Sequence, residues 1–298
     1  MNDSIACRLC DARSLPTLDD RPDREYGVSV RLNYWRCIEC GLVFADPIPS
    51  ELIPSFYTAY STHERSDVRS RNAIWNLIDM VSPTLDRRAS FRSLDIPKTA
   101  HILDFGCGDG IFLEELGRAG FTELSGCDFD QKVAAAALPN LRFFAGIDQL
   151  ADEVFDVITL NHVLEHVEDI PATLKRLRSH LKPAGFIYIR TPNARSVLAT
   201  IFKGNWRGWE TPRHLNVVTP EALQKAVERS GGEVATLVTS NDMSAGMFIG
   251  SIGIALRRLP GKLRNLVGAA LYAPSAWLLR GTHSIAPLSG EEIVAVVR

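Results

Sequence analysis

The sequence predicts an α/β protein: a mostly parallel sheet built from βαβ units, preceded by a small metal-binding leader. Three observations carry that expectation. From His101 onward, short apolar runs alternate with stretches of helical periodicity. A glycine-rich turn follows the first of those runs. Four of the six cysteines fall as C-x2-C pairs near the start of the chain. At 298 residues, 46% hydrophobic and 23% charged, the chain has ample material for a buried core and is no disordered or collagen-like sequence. A formal net charge of −2 supplies no global basic field for nucleic acid. The opening MNDSIACRLCD lacks the apolar core of a secretory signal, which places the chain in the cytoplasm.

The leader, residues 1–46, holds Cys7, Cys10, Cys37 and Cys40. In a cytosolic chain this spacing favours metal over disulfide, and four soft thiolates suit a closed tetrahedral Zn²⁺ site of structural type. Tyr26–Val30 and Trp35 are expected to form the hairpin of a zinc ribbon. This leader stands about sixty residues before the glycine turn, which predicts a module whose loss spares the rest. Residues 47–98 begin with Pro47, Pro49 and Pro54 and continue Arg-rich, so they read as a linker with lid helices. Tyr57 and Tyr60 are candidates for that lid.

The domain at 99–298 then unfolds in order. Strands are expected at 101–105, 123–128, 141–145, 155–161, 185–191, 233–240 and 291–298. A helix follows Gly110 and stops at Gly120; another is capped by Asp169 and ends at Pro183 and Gly185. A third starts at Thr219 with Pro220 and Glu221 and runs to Gly231. The first strand and turn read ILDFGCGDG, with Gly106, Gly108 and Gly110 in a G-x-G-x-G spacing rather than that of a dinucleotide site. Such a turn lets backbone approach a ligand closely, and the following helix N-terminus favours negative groups. Asp104 suits a ligand ammonium, Asp128 suits paired ribose hydroxyls, and Phe129 stands beside it for an adenine.

These motifs resemble the class I S-adenosylmethionine-dependent methyltransferases. LDFGCGDG looks like their first motif, SGCDFD their ribose acid, and FDVITLNHVLEHVED with LKPAGFIYIRTPN their fourth and fifth strand signatures. The resemblance covers about residues 100–240 and the final strand. It implies a seven-stranded, mostly parallel Rossmann-like sheet whose last strand is antiparallel. It also places Ile147 and Asp148 near adenine and Asn161 near the methionine part of S-adenosyl-L-methionine. The leader joined to this domain is similar to that of polysaccharide-cluster and nucleotide-sugar methyltransferases.

A methyl sulfonium is already activated, so the protein must align a nucleophile and remove its proton. His214 and Glu210, in WRGWETPRHL after the fifth strand, are the first candidates; His162 at the end of the fourth is another. His166 reads as a structural hydrogen-bonder. Residues 243–284 form an insertion; within 243–281 lie Arg257, Arg258, Lys262, Arg264 and Arg280 and no acid. Its apolar runs are shorter than the ~20 residues that span a bilayer. Either it packs as a helical hairpin over the site or against a second subunit in a homodimer, or it lies on the inner face of a membrane. The expected activity is methyl transfer to a hydroxyl of a sugar, glycan or lipid-linked acceptor. The rivals are a nucleotide-sugar C-methyltransferase and a non-catalytic zinc-ribbon, cofactor-binding protein.

Overall fold

The computed structural model describes residues 4–25, 27–57, 91, 93–129, 141–264, 266–268, 270–271 and 288–298. Its centre is a seven-stranded sheet. In chain order the strands are β5 (Ile102–Phe105), β6 (Leu124–Cys127), β7 (Arg142–Phe144), β8 (Phe155–Asn161), β9 (Leu181–Pro192), β11 (Val234–Ser240) and β12 (Glu292–Val297). Their spatial order is β11-β12-β9-β8-β5-β6-β7, and every pair is parallel except those made by β12. The seven strands and the single antiparallel one follow the expectation. β5 lies between β6 and β8, so the strand order reverses at the β5/β8 boundary, where open α/β sheets leave a crevice for ligands.

The helices obey their local chemistry. Helix α1 (Ile111–Arg118) starts from Gly110, which holds the left-handed φ of 73° that a side chain would resist. Asp169 caps α2 (Ile170–Arg178) by accepting from Ala172 N, and Thr219 caps α4 (Pro220–Arg229) through Ala222 N. Between them, α3 (Val197–Phe202) is capped by Ser196. One boundary differs from expectation. Helix α2 already ends at Ser179, and Pro183 and Gly185 lie inside β9, opposite a register shift between Phe155 and Val157. A bulge tolerates the proline because no ladder hydrogen bond is asked of its nitrogen.

The leader is built as β1 (Ile5–Ala6), β2 (Arg13–Pro22), β3 (Arg31–Cys37) and β4 (Val43–Ala45), followed by a 3-10 helix at Ser50–Tyr57. The hairpin strands are therefore β2 and β3. Val28–Val30 are connecting residues and Tyr26 lies outside the described residues, as do Tyr60 and the other residues of 58–90. A strand of the main domain, β10 (Asn216–Val217), pairs antiparallel with β4 and closes the leader sheet as β1-β2-β3-β4-β10. Cys7, Leu9, Leu42 and Phe44 share one core cluster with Leu103, Leu160, Val218 and Leu223. Sixty residues of sequence separation do not make the leader a separate module.

After β11, helix α5 (Ser244–Ala255) lies on the 203–209 loop. Met247 joins the cluster of Trp206 and Trp209, and Ser251 Oγ accepts from Arg207 N at 2.9 Å. Helical residues follow between 261 and 271, where Gly268 faces Ile249 of α5. Residues 272–287, with Arg280, lie outside the described residues. Among the described residues no helix is long and apolar enough to cross a membrane.

Thr219 joins the two sheets. Its hydroxyl accepts from Ala222 N and donates to the carbonyl of Cys40 at 2.6 Å. Thr219→Ala removes a helix cap and a buried hydrogen bond at once, so the expected cost is about 2 kcal/mol. Urea denaturation followed by tryptophan fluorescence should show one transition at a lower midpoint. A leader that melts first, with the main transition unmoved, would contradict the shared core.

Candidate functional site

The glycine turn is locked onto the end of β6. Gly106 N donates to the Cys127 carbonyl at 2.7 Å, and Gly108 N donates to Asp128 Oδ2 at 2.9 Å. Gly106, at φ 75°, has no room for a side chain, because an added Cβ would stand 2.5 Å from Val163. One residue back, Asp104 is buried and accepts from Thr159 Oγ1 at 2.6 Å and Asn161 Nδ2 at 3.2 Å. Burial pushes its carboxyl up to about 7 against those two hydrogen bonds, with Asp128 and Asp109 adding to the rise. An approaching ammonium would reverse that shift. Asp104, Asn161, the turn and Asp128 thus meet at the strand reversal, and the residue types fit S-adenosyl-L-methionine. Phe129 follows Asp128 and is 63% exposed. Ile147 packs against the core. Asp148 does not come inward: its side chain is 90% exposed and is paired with Arg176 of α2.

A row of rings leads away from Phe129. Tyr57 meets Phe129 edge-on with centroids 5.4 Å apart and meets His166 at 6.0 Å, and His166 meets His214 at 4.8 Å. Of the two expected lid tyrosines, Tyr57 therefore stands against the candidate cofactor residues. His166 Nδ1 donates to the Arg213 carbonyl and His214 Nδ1 to the Gly208 carbonyl, so the Nε2 atom of each is left as the proton acceptor. Burial lowers His214 to about 4 although Glu210 opposes the shift. The imidazole is neutral. Glu210 stands 3.9 Å from His214 Nε2 and 3.3 Å from Arg213 Nε. Burial works against its charge, but His214, Arg207 and Arg213 hold the carboxyl down at about 2. Glu210 is thus a fixed anion that orients its neighbours.

His162 does not fit the role of base. Its Nδ1 donates to Glu165 at 3.1 Å and its Nε2 to Glu292 at 2.8 Å, so neither nitrogen is left to take a proton. Burial opposes its charge, yet these two carboxylates raise it to about 10. Glu165 went unrecognised in the sequence, although it directly precedes His166. It is 1% exposed and accepts from His162 and from Thr191 Oγ1, while its carbonyl accepts from Leu215 N and Asn216 N. The only local signal was an acid beside a histidine at a strand end. Ligand atoms of Glu165, His166 and His214 lie within 4.8 Å of one another, a donor set able to hold a cation, although both Glu165 oxygens already have partners.

Across the leader, Cys7, Cys10, Cys37 and Cys40 bring their sulfurs within 4.8 Å of one another. Cys7 and Cys40 are 3.7 Å apart and Cys10 and Cys37 are 3.4 Å apart. A zinc tetrahedron with bonds of about 2.3 Å has sulfur–sulfur edges of about 3.8 Å. Backbone N–H groups of Glu39 and Cys40 also point at Cys37 Sγ. The set fits a four-thiolate zinc site.

Residues 80–237 match the family model described as a methyltransferase domain. Among curated proteins, the chain is 30% identical over 172 residues to the ubiquinone biosynthesis O-methyltransferase of Parvibaculum lavamentivorans, covering 55% of this chain and 62% of that one. It is 32% identical over 149 residues to the protein of the same name from Bradyrhizobium diazoefficiens, covering 45% and 58%. The chain thus spans about six-tenths of the length of these relatives. A solved structure of a SAM-dependent methyltransferase from Archaeoglobus fulgidus aligns at TM-score 0.46 and 18% identity, over 76% of this chain and 99% of that one.

His214, buried, and His162, half-buried, give opposite pH dependences. His214 has a folded value near 4, below the unfolded one of about 6.5. Its contribution to stability is complete above pH ~6.5 and is lost as pH falls toward 4. His162, raised to about 10, stabilises fully below pH ~6.5 and loses that contribution as pH rises through its folded value. NMR titration of the imidazole signals should show His214 neutral and His162 charged at pH 7. The reverse assignment would undo the account of both.

Proposed function

The chain belongs to the methyltransferase-domain family, and we propose that it moves a methyl group from S-adenosyl-L-methionine to a hydroxyl oxygen. The observation that carries this reading is the meeting of Asp104, Asn161, Gly108 and Asp128 at the strand reversal, with a row of rings running from Phe129 to His214. When bound, S-adenosyl-L-methionine supplies a methyl on a positively charged sulfur. The chain's own work is then alignment and proton removal. Asp104 and Asn161 hold the amino-acid end, and Asp128 takes the ribose hydroxyls. Tyr57 covers Phe129 and restricts water. His214, neutral and held through Nδ1 by the Gly208 carbonyl, orients the acceptor hydroxyl and takes its proton through Nε2.

The acceptor read from the sequence is a sugar, glycan or related lipid-linked hydroxyl. A second reading is a phenolic hydroxyl. The relatives named for ubiquinone biosynthesis support it, as does the wall of Tyr57 and His166, which offers ring faces to a flat acceptor. The leader cysteines hold one structural Zn²⁺ and keep β4 in place against β10. The insertion supports contact with an anionic membrane: Leu259, Leu263 and Leu266 are 38%, 46% and 67% exposed among Arg258, Lys262 and Arg264. A homodimer through the same face is the competing arrangement.

A labelled-methyl assay over nucleotide sugars, glycans and quinone precursors tests the activity; no transfer to any class, despite S-adenosyl-L-methionine binding, would favour a non-catalytic binding protein. In calorimetry, Asp128→Ala should weaken S-adenosyl-L-methionine by at least tenfold, since charge-assisted hydrogen bonds are worth about 1.5–3 kcal/mol each. His214→Ala should lower turnover by about 10²–10⁴ with the cofactor affinity unchanged. Equal losses in both quantities would reassign His214 as a structural residue. For the membrane contact, the protein should float with anionic vesicles at low salt and be released at high salt. Salt-insensitive dimers that stay at the bottom of the gradient would assign the face to a second copy.

A further inference from the structure

Where the leader meets the 203–214 loop and α5, arginines outnumber the acids that could neutralise them. Arg21, Arg24, Arg207, Arg213 and Arg257 stand with Asp23, Glu25 and Glu210, a surplus of two positive charges among these described residues. The acids are already committed: Asp23 to Arg213 at 3.4 Å, Glu25 to Arg207 at 3.3 Å, and Glu210 to Arg213 at 3.3 Å. Arg24 donates to neutral partners, the Gly204 carbonyl and Asn205 Oδ1. Arg21 is 6% exposed and has no hydrogen-bond or ion-pair partner among the described residues; its Nε and that of Arg24 are both buried and unsatisfied.

A buried guanidinium without a partner carries a large desolvation cost, and a fold keeps one where something else supplies the counter-charge. Burial has already lowered Arg21 to about 10, with Arg24 and Arg257 pushing the same way. Arg21 and Arg24 line a narrow cleft with Trp206, Thr211 and Ile254, and with Glu25 and Glu210, the two acids already paired with Arg207 and Arg213. Arg257 stands next to it, donating to the Ile254 carbonyl at 3.2 Å. The cleft has room of about 10 Å³, enough for one water-sized group, so a larger anion would reach the guanidinium groups from its mouth.

We propose that Arg21, Arg24 and Arg257 form a binding site for a phosphate or pyrophosphate group beside the loop that carries Glu210 and His214. Planar guanidinium groups match phosphate oxygens in pairs, and two surplus charges match a phosphate dianion. The group would come from a phosphorylated soluble molecule or from an anionic phospholipid headgroup. That it belongs to the methyl acceptor rests on the transfer reading above; the site itself does not.

Calorimetry of the full chain with inorganic pyrophosphate, at fixed ionic strength, is the direct measurement. One saturable site is expected, weakened at least tenfold in Arg257→Gln and lost in Arg21→Met. Arg21→Met should melt no lower than the unaltered chain, because it removes an unpaired buried charge, and Arg257→Gln keeps the test open if it does not. Vesicle flotation separates the sources. If phosphatidylglycerol vesicles lose the Arg21→Met protein, a headgroup fills the site; if only pyrophosphate binding is lost, a soluble phosphorylated compound does. Binding of both probes unchanged in both variants, or no saturable pyrophosphate binding at all, would overturn the proposal. Because this readout needs no methyl transfer, its failure is distinct from failure of the transferase reading.

Discussion

The buried carboxylate of Glu165 is the interaction on which the rest of the arrangement depends. A charge at 1% exposure survives only with partners, and Glu165 finds them in His162 and Thr191. His162 passes the demand on to Glu292, which takes Arg190 at 2.6 Å. This chain of alternating charges crosses β8, β9 and β12, the part of the sheet where the antiparallel strand enters. Meanwhile the Glu165 backbone carbonyl holds Leu215 and Asn216, the residues that lead into β10. Through β10 the same residue reaches the leader sheet. Removing one member would leave a buried charge unpaired, which is far worse than never having built the pair.

From that anchor the position of His214 follows. Tyr34, wholly buried in β3, donates to the His214 carbonyl at 2.9 Å, and the fully buried pair of Asp23 and Arg213 pins the preceding residue. The Arg213 carbonyl in turn orients His166. Leader residues therefore set the two rings that end the row from Phe129. A four-cysteine leader that looks like an appendage in sequence is part of the wall of the site. Cysteine ligation there would act on the chemistry through β3, β4 and β10 rather than through contact.

Much of this arrangement is legible in the sequence. The strand set, the caps at Asp169 and Thr219, and the candidacy of Asp104 and Asp128 come from local rules, periodicity, capping chemistry and turn geometry, whereas Asn161 enters only through the family resemblance. What stayed hidden depends on contacts between distant segments. Nothing around His162 reveals that Glu165, three residues on, and Glu292, at the far end of the chain, will both claim it. Asp148 sits where the resemblance expects a cofactor contact, but Arg176 lies across a loop and draws it outward. Pro183 and Gly185 signal a helix stop, yet the helix had already ended and the strand absorbed them through a bulge.

The two charged neighbourhoods of this chain differ in one respect that bears on function. Around Glu165 each buried charge meets an opposite one, and such a closed network serves only to hold its members in place. Around Arg21 the acids run out before the bases do. Folding alone gives no reason for that imbalance, since an apolar residue at Arg21 would avoid the desolvation cost altogether. A closed network beside an open one, joined by the 203–214 loop, is the arrangement expected when the first positions a reacting group and the second waits for the charge of something that binds next to it.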